Sequence, residues 1–128
     1  MNDNPATITG IGQIAINVHD IERATTFYRE VLGLDHVFSA GPMAFFQCGA
    51  VRIMLALPDR HEFDHPSSVI YFTVADARAA YAALQDVVEF SSEPLVVHRT
   101  AEHELWMAFF RDPEGNTLAL TSEIPVVS

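Results

Sequence analysis

Histidine and acidic side chains that could transfer protons or bind a metal ion occur in two groups along this chain. The first group lies in a polar, proline-containing stretch and comprises His61, Glu62, Asp64 and His65. The second lies between two strand-like runs and comprises His98, Glu102, His103 and Glu104. Because histidine titrates near neutral pH, His103 and Glu104 are candidates for acid–base catalysis. Neither group has the spacing of a zinc motif, so we expect no metal ion at either one.

The elements that must position these side chains occur twice along the chain. In the first unit, the β-rich run 14–18 is followed by Asp20, a favoured N-cap residue, and by a helical pattern of apolar residues. The same order begins again 56 residues later, with the run 70–74 and Asp76. An offset that stays constant over a strand and a helix indicates a duplicated module.

Three short strands are predicted after each helix. In the first unit they are expected near residues 36–39, 43–48 and 51–57, and in the second near 95–99, 105–111 and 117–121. The sequence therefore predicts one α+β domain over residues 1–128, built from two tandem βαβββ units with curved mixed sheets. Repeat one covers about residues 9–57, a linker 58–68, and repeat two about 69–123. Two such sheets can enclose a cleft between the halves, where small ligands commonly bind.

Composition narrows the classes of partner and compartment. The net charge is −10 and all seven basic residues are arginine, so nucleic-acid binding is not expected. No apolar run approaches the roughly 18 residues that a membrane span needs, so no membrane association is expected. The single cysteine, Cys48, excludes an intramolecular disulfide. The N-terminal residues lack the pattern of a secretory signal, and we expect a cytoplasmic protein.

Three segments carry a resemblance to a known family. Residues 13–20 read Gln-Ile-Ala-Ile-Asn-Val-His-Asp, residues 27–34 read Phe-Tyr-Arg-Glu-Val-Leu-Gly-Leu, and residues 110–116 read Phe-Arg-Asp-Pro-Glu-Gly-Asn. Together they resemble the vicinal-oxygen-chelate superfamily, which includes glyoxalases, bleomycin resistance proteins and extradiol dioxygenases. The resemblance covers essentially residues 11–122 and implies the same two-fold βαβββ fold. The turn in the last segment also has a purely structural explanation, since Pro113 presets a turn and Gly115 supplies a positive φ.

Metal-dependent members of this family bind one divalent cation through four residues, from the first and last strands of each repeat. By the resemblance these positions fall on Gln13, Met54, Val69 and Ala119. Valine and alanine side chains have no lone pair, and a thioether is a poor ligand for hard divalent ions. Of the four, only the Gln13 side chain could coordinate a metal ion. We therefore predict a divergent member in which the metal site is lost and no cofactor is bound.

The same positions indicate which residues face the cleft. If Met54 faces it, strand alternation places Arg52 on the same face. An arginine there could hold a carboxylate in a bidentate manner, or it could be a surface residue paired with one of the many acids. We also place Phe46 and Trp106 on the cleft side, where a flat ligand could stack, although core packing is the commoner role of such residues.

Three functions remain open at this point. The first is metal-free binding of a small, partly apolar molecule in the cleft, as in the bleomycin-resistance type. The second is a metal-dependent lyase, epimerase or dioxygenase. The third is a metal-independent enzyme that uses Gln13, His103 or Glu104 for proton transfer. The resemblance also implies a homodimer, and the linker is long enough for each cleft to form within one chain or across two.

Overall fold

Two βαβββ units follow one another in the computed structural model, which describes residues 5–126. The first unit contains strands β1 to β4 and helix α1, at Gln13–Asn17 (β1), Ile21–Thr26 (α1), Asp35–Ala40 (β2), Met43–Cys48 (β3) and Val51–Ala56 (β4). The second contains β5 to β9 and α2, at Ile70–Thr73 (β5), Ala77–Leu84 (α2), Glu89–Phe90 (β6), Leu95–Arg99 (β7), His103–Arg111 (β8) and Thr117–Pro125 (β9). The α+β fold class predicted from the sequence is confirmed.

Each unit builds its own mixed sheet. The first sheet has the strand order β1-β4-β3-β2, with β1 parallel to β4 and the other neighbours antiparallel. The second has the order β5-β9-β8-β6, with β5 parallel to β9 and with β7 also paired to β8. The parallel pairs are made by the first and last strands of each unit, as the duplication requires.

The edge of the second sheet differs from the prediction. The short strand β6 was not predicted, and it pairs with the same long strand, β8, as β7 does. Between them lies the stretch 91–94, which ends in Pro94. Because proline has no backbone N–H, it cannot continue the ladder of hydrogen bonds. The two short strands are therefore one edge strand that is interrupted at this point.

The first helix also differs from the single regular helix that the apolar pattern predicts. After Thr26 the chain continues as a π-helical segment, Phe27–Val31, in which the N–H of Leu32 donates to the carbonyl of Phe27. Both Phe27 and Tyr28 are buried side by side in this wider turn. Gly33 then ends the helix with φ +72, in the left-handed conformation that its position predicts.

Both units share one apolar core on the helix side of their sheets. Residues of β1 and β4 and of the first helical segments pack together with residues of β8 and β9, as in the cluster of Ile16, Ala24, Tyr28, Phe46, Ile53, Leu55, Phe110 and Leu118. We call the opposite side of each sheet its open face. No helix in the described part of the chain is long and apolar enough to cross a membrane.

The turn between β8 and β9 joins the repeats. Asp112, only 4% exposed, accepts hydrogen bonds from the backbone N–H groups of Glu114 and Asn116 and from the Tyr28 hydroxyl. Gly115 has φ +82, as its place in the turn predicts. From the sequence, Pro113 and Gly115 alone were expected to form this turn. The structure adds that the Asp112 carboxylate organises it and connects it to repeat one.

Candidate functional site

A cavity of about 530 Å³ lies on the open face of the first sheet, beneath the linker 58–68. Its lining is mostly apolar and comes from the ends of β1 and β4, the start of β3 and the linker: Ile14, Ala15, Ile16, Asn17, Pro42, Met43, Met54, Ala56, Leu57, Pro58, Asp59, Phe63, His65, Ser67 and Ser68. All these described residues belong to repeat one and the linker. The cavity thus differs from the expected cleft between the two repeats.

The floor of the cavity follows from strand register. Ala15 is paired with Met54 across β1 and β4, and Met54 is paired with Phe45 across β4 and β3. Paired residues point to the same side of a sheet, while their sequence neighbours point to the other. Ala15 and Met54 therefore form the floor on the open face, while Ile16 and Leu55 face the core.

The wall of the cavity is held by hydrogen bonds between β1 and the linker. The side-chain amide of Asn17 donates to Asp64 Oδ1 over 3.2 Å and to the carbonyl of His65 over 3.0 Å. The backbone N–H of Asn17 donates to Ser67 Oγ over 2.9 Å. His19 Nε2 lies 2.9 Å from Asp64 Oδ1. The hydrogen bonds from Asn17 and His19 lower the pKa of Asp64 below its usual value, which favours the ionised carboxylate that makes these contacts.

Few polar groups reach the cavity. Nδ1 of His65 lies 3.0 Å from the carbonyl of Pro66. Oδ1 of Asn17 is buried and accepts no hydrogen bond from the described residues. A lining of this kind fits a molecule with an apolar body better than a polar metabolite.

A second depression lies at the corresponding place in repeat two. It measures about 480 Å³ and is lined by Thr73, Val74, Ala75, Leu105, Thr121, Ser122 and Glu123. Thr73 lies 56 residues after Asn17, so the two hollows are equivalent under the duplication. Only the first includes linker residues among its described lining.

The four positions to which the family resemblance assigns a metal ion carry side chains that do not fit one. Gln13 turns its amide nitrogen, a donor, to Met54 Sδ at 3.6 Å. Val69 is 40% exposed just before β5, and Ala119 is fully buried. These side chains offer one amide, one thioether and two hydrocarbon groups. Among residues 5–126, no three His, Cys, Asp or Glu side chains come close enough together to hold a metal ion.

An aromatic pair occupies the open face around Ala119. This residue is paired with Tyr71 on one side and with Phe109 on the other. The two rings meet edge to face with their centroids 5.9 Å apart. They cover Ala119, so a longer side chain at this position would have to displace them.

Arg52 lies on the open face, in the row that also holds Gln13. Its guanidinium is 5.9 Å from the ring centroid of Phe38 and 5.8 Å from that of Phe45. The sequence left open whether this arginine pairs with an acidic residue. No acid in the described part of the chain forms an ion pair with it.

Two residues expected on the cleft side face the other way. Phe46 is fully buried in the core, where its ring packs against Tyr28 and His36. Trp106 lies on the side that carries α2, with the Arg78 guanidinium 4.7 Å from its ring centroid. Both expectations were wrong because composition cannot fix the phase of strand alternation. The register with Met54 selects Phe45 instead, the neighbour of Phe46 on the open face.

The candidate proton-transfer residues are not brought together. Gln13 belongs to the first sheet, while His103 and Glu104 begin β8 in the second. Glu104 accepts hydrogen bonds from Arg99 over 2.7 Å and from the Trp106 indole over 3.3 Å. His103 is exposed. The four residues of the first histidine group lie in the linker, where His65 alone lines the cavity.

Glu114 is an interface residue that the sequence analysis did not single out. Its side chain is 4% exposed and accepts hydrogen bonds from the backbone N–H groups of His19 and Asp20 and from the Arg23 guanidinium. Burial tends to raise the pKa of Glu114, but the hydrogen bonds from Arg23 and the two backbone groups outweigh it and lower the pKa. Its position between the two turn-forming residues Pro113 and Gly115 gave no signal of this role.

Comparison with known proteins gives one family and many similar folds. The family model described as "Glyoxalase/Bleomycin resistance protein/Dioxygenase superfamily" matches residues 10–120. A member of that superfamily from Sphaerobacter thermophilus DSM 20745 has a TM-score of 0.75 at 23% identity, over 90% of this chain and 98% of that one. Virulence protein STM3117 from Salmonella typhimurium has a TM-score of 0.72 at 23% identity, over 92% and 99% of the two chains.

A third similar structure is an integron cassette protein from the mobile metagenome of V. Cholerae, with a TM-score of 0.69 at 22% identity over 91% of this chain and 96% of that one. No curated protein matches the sequence significantly. At these identities the solved structures establish a common fold and carry no information about the ligand.

Proposed function

Because this chain belongs to the glyoxalase/bleomycin resistance protein/dioxygenase superfamily, we propose that it is a metal-free member that binds a small, partly apolar molecule. The cavity beneath the linker is the proposed site. The observation that carries the proposal is an apolar cavity of about 530 Å³ on the open face that also bears Gln13 and Met54. Ligand cavities are commonly about 300–1,000 Å³ and mostly apolar.

The chemistry of the four family positions supports the metal-free part of the proposal. Divalent transition metals need imidazole, carboxylate or thiolate ligands, and Gln13 is the one residue of the four with a harder donor atom. Its amide nitrogen is directed at Met54 Sδ. In repeat two, the rings of Tyr71 and Phe109 cover Ala119, so apolar packing takes the place of ligands.

The test is binding of a neutral apolar fluorophore, N-phenyl-1-naphthylamine, to the full chain in EDTA, combined with metal analysis of the dialysed protein. We expect saturable binding at one site per chain with no stoichiometric metal. Retention of zinc, nickel, iron or manganese at one ion per chain would contradict the metal-free proposal. Failure of the fluorophore to bind would contradict the binding function.

We also propose that the protein forms a homodimer. Large apolar side chains on or beside the open face of the second sheet are exposed, including Val69, Tyr71 and Leu95. A second copy related by a two-fold axis would place these exposed side chains of the two chains against each other. Light scattering after size-exclusion chromatography should give twice the mass of the chain, whereas a monomer at micromolar concentration would contradict this proposal.

A cytosolic location, supported by the single cysteine, completes the proposal.

A further inference from the structure

Arg52 differs from most other arginines of this chain in having no acidic partner. Five of the seven arginines form ion pairs with carboxylates, namely Arg23, Arg29, Arg60, Arg78 and Arg99. Within residues 5–126, Arg52 and Arg111 do not. Arg111 is exposed to solvent, but Arg52 is partly buried. Arg52 is therefore a partly buried residue whose charge has no acidic partner among the described residues.

Two aromatic rings hold this charge in place. Phe38 and Phe45 stack with centroids 4.4 Å apart and an angle of 20° between their planes. The Arg52 guanidinium lies within 6 Å of both centroids. Such contacts orient the planar group but leave its N–H donors available. No side chain or carbonyl in the described part of the chain accepts a hydrogen bond from them.

Arg52 is not among the residues that line the cavity, but it lies close to one of them in the sheet. Arg52 and Met54 point to the same side of β4, and Met54 is part of the cavity lining. Two residues along a strand span about 7 Å. Phe45, which contacts the guanidinium, is paired with Met54 in the neighbouring strand. A molecule that lies on Met54 would therefore have to extend roughly 7 Å past the cavity lining to reach Arg52.

We infer that the ligand is an organic monocarboxylate with an apolar body, whose carboxylate extends past the cavity lining and is bound by Arg52 beside Phe38 and Phe45. This inference rests on the proposed function, since it assumes that the cavity holds the apolar part. The planar fork of arginine matches a carboxylate in a bidentate manner. A dianion such as a phosphate ester is disfavoured, because the net charge of −10 repels two charges more strongly than one.

The test compares 1-naphthoate with its neutral amide, 1-naphthamide, by isothermal titration calorimetry on the full chain. Wild type, Arg52→Gln and Arg111→Gln are measured, the last as a matched control with the other unpaired arginine. We expect wild type to bind the carboxylate roughly tenfold more tightly than the amide. Arg52→Gln should lose this preference and keep its affinity for the amide, and Arg111→Gln should keep both.

Four outcomes would overturn the inference. Equal affinity of wild type for both compounds, or a carboxylate preference that survives in Arg52→Gln, would exclude Arg52 as the anion-binding group while the proposed function stands. A loss of affinity for both compounds in Arg52→Gln would assign Arg52 a structural role instead. If neither compound binds to wild type, the proposed function fails and the inference fails with it.

Discussion

The hydroxyl of Tyr28 donates a hydrogen bond to Asp112 Oδ2 over 2.7 Å, and this contact joins the helical segment of repeat one to the hairpin turn of repeat two. Burial, reinforced by the Asp112 carboxylate, raises the pKa of Tyr28 far above its usual value. The hydroxyl therefore stays protonated, and remains a donor, at pH values at which a free tyrosine ionises. The two repeats are connected by this contact as well as by the linker.

Removal of this hydroxyl should destabilise the whole domain. Tyr28→Phe leaves the ring in place but removes one hydrogen bond from a buried carboxylate, and we expect a loss of about 1–3 kcal/mol in urea denaturation. Tyr81→Phe is the matched control, because no described residue forms a hydrogen bond with the Tyr81 hydroxyl, and its effect should stay within about 0.5 kcal/mol. Equal losses of stability in the two variants would show that the hydrogen bond to Asp112 makes no specific contribution to the free energy of unfolding.

Glu114 should make stability depend on acid pH. Its pKa is lowered in the folded state, so its contribution is present above the unfolded pKa of a glutamate and is lost as the pH falls through the folded pKa. Glu114→Gln should therefore be less stable than wild type at pH 7, and the difference should narrow towards pH 3. Thermal melts across this pH range measure the difference. A gap that stays constant with pH would argue against an ionised Glu114.

A larger side chain on the floor of the cavity should block binding. Ala15 is exposed on the open face and lines the cavity, so Ala15→Phe fills space without disturbing the core. We expect the affinity for N-phenyl-1-naphthylamine to fall about tenfold or more. Ala79→Phe, at an exposed position of α2, is the control and should leave binding unchanged. Unaltered binding in Ala15→Phe would place the fluorophore elsewhere.

Release of the linker should open the cavity. Asp64→Asn weakens the hydrogen bonds to Asn17 and His19, so we expect faster hydrogen exchange in residues 61–68 and weaker fluorophore binding. Because the pKa of Asp64 is lowered, wild type should show the same faster exchange in the linker only as the pH falls through that lowered value. Glu62→Gln, which changes an exposed linker carboxylate, should alter neither measurement. Unchanged exchange in Asp64→Asn would contradict a fastening role.

A carboxylate introduced at the fourth family position should not restore metal binding. In Ala119→Glu the new side chain meets the rings of Tyr71 and Phe109 at a fully buried position. We expect the free energy of unfolding to fall by about 3–5 kcal/mol. Thr117→Glu, on the same face of β9, should cost less than about 1 kcal/mol. Calorimetric titration with zinc should show no binding to either variant. A stable Ala119→Glu protein would mean that the ring pair moves easily.

The sequence predicted the features that depend on local pattern. Apolar periodicity, Asp20 and Asp76 as N-caps and the 56-residue offset predicted both units, because each signal acts within a few residues. The direction of side chains was harder to predict. Phe45 and Phe46 are equally apolar, and only the pairing of their strand with β4 shows which of them lies on the open face. The predicted direction of the Trp106 side chain was wrong for the same reason, since it lies on the face of the second sheet that carries α2.

The cavity could not be predicted from local pattern. Its wall depends on contacts such as that between Asn17 and Asp64, which are 47 residues apart. The polar composition of the linker predicted no regular element, and it gave no sign of the short 3-10 helix that the structure has at His61–Phe63. Arg52 was identified as a candidate from alternation. That it lacks an acidic partner could be recognised only from the positions of the described carboxylates around it.

The linker that covers the first hollow also breaks the symmetry of a duplicated protein. The equivalent hollow at Thr73 and Thr121 has no described linker residue in its wall, although both arise from the same βαβββ unit. The linker residues that line this hollow, such as Phe63 and His65, are outside the strands and the shared core. Ligand preference can therefore diverge between relatives through substitutions in the linker, while the residues that fold the two units remain unchanged.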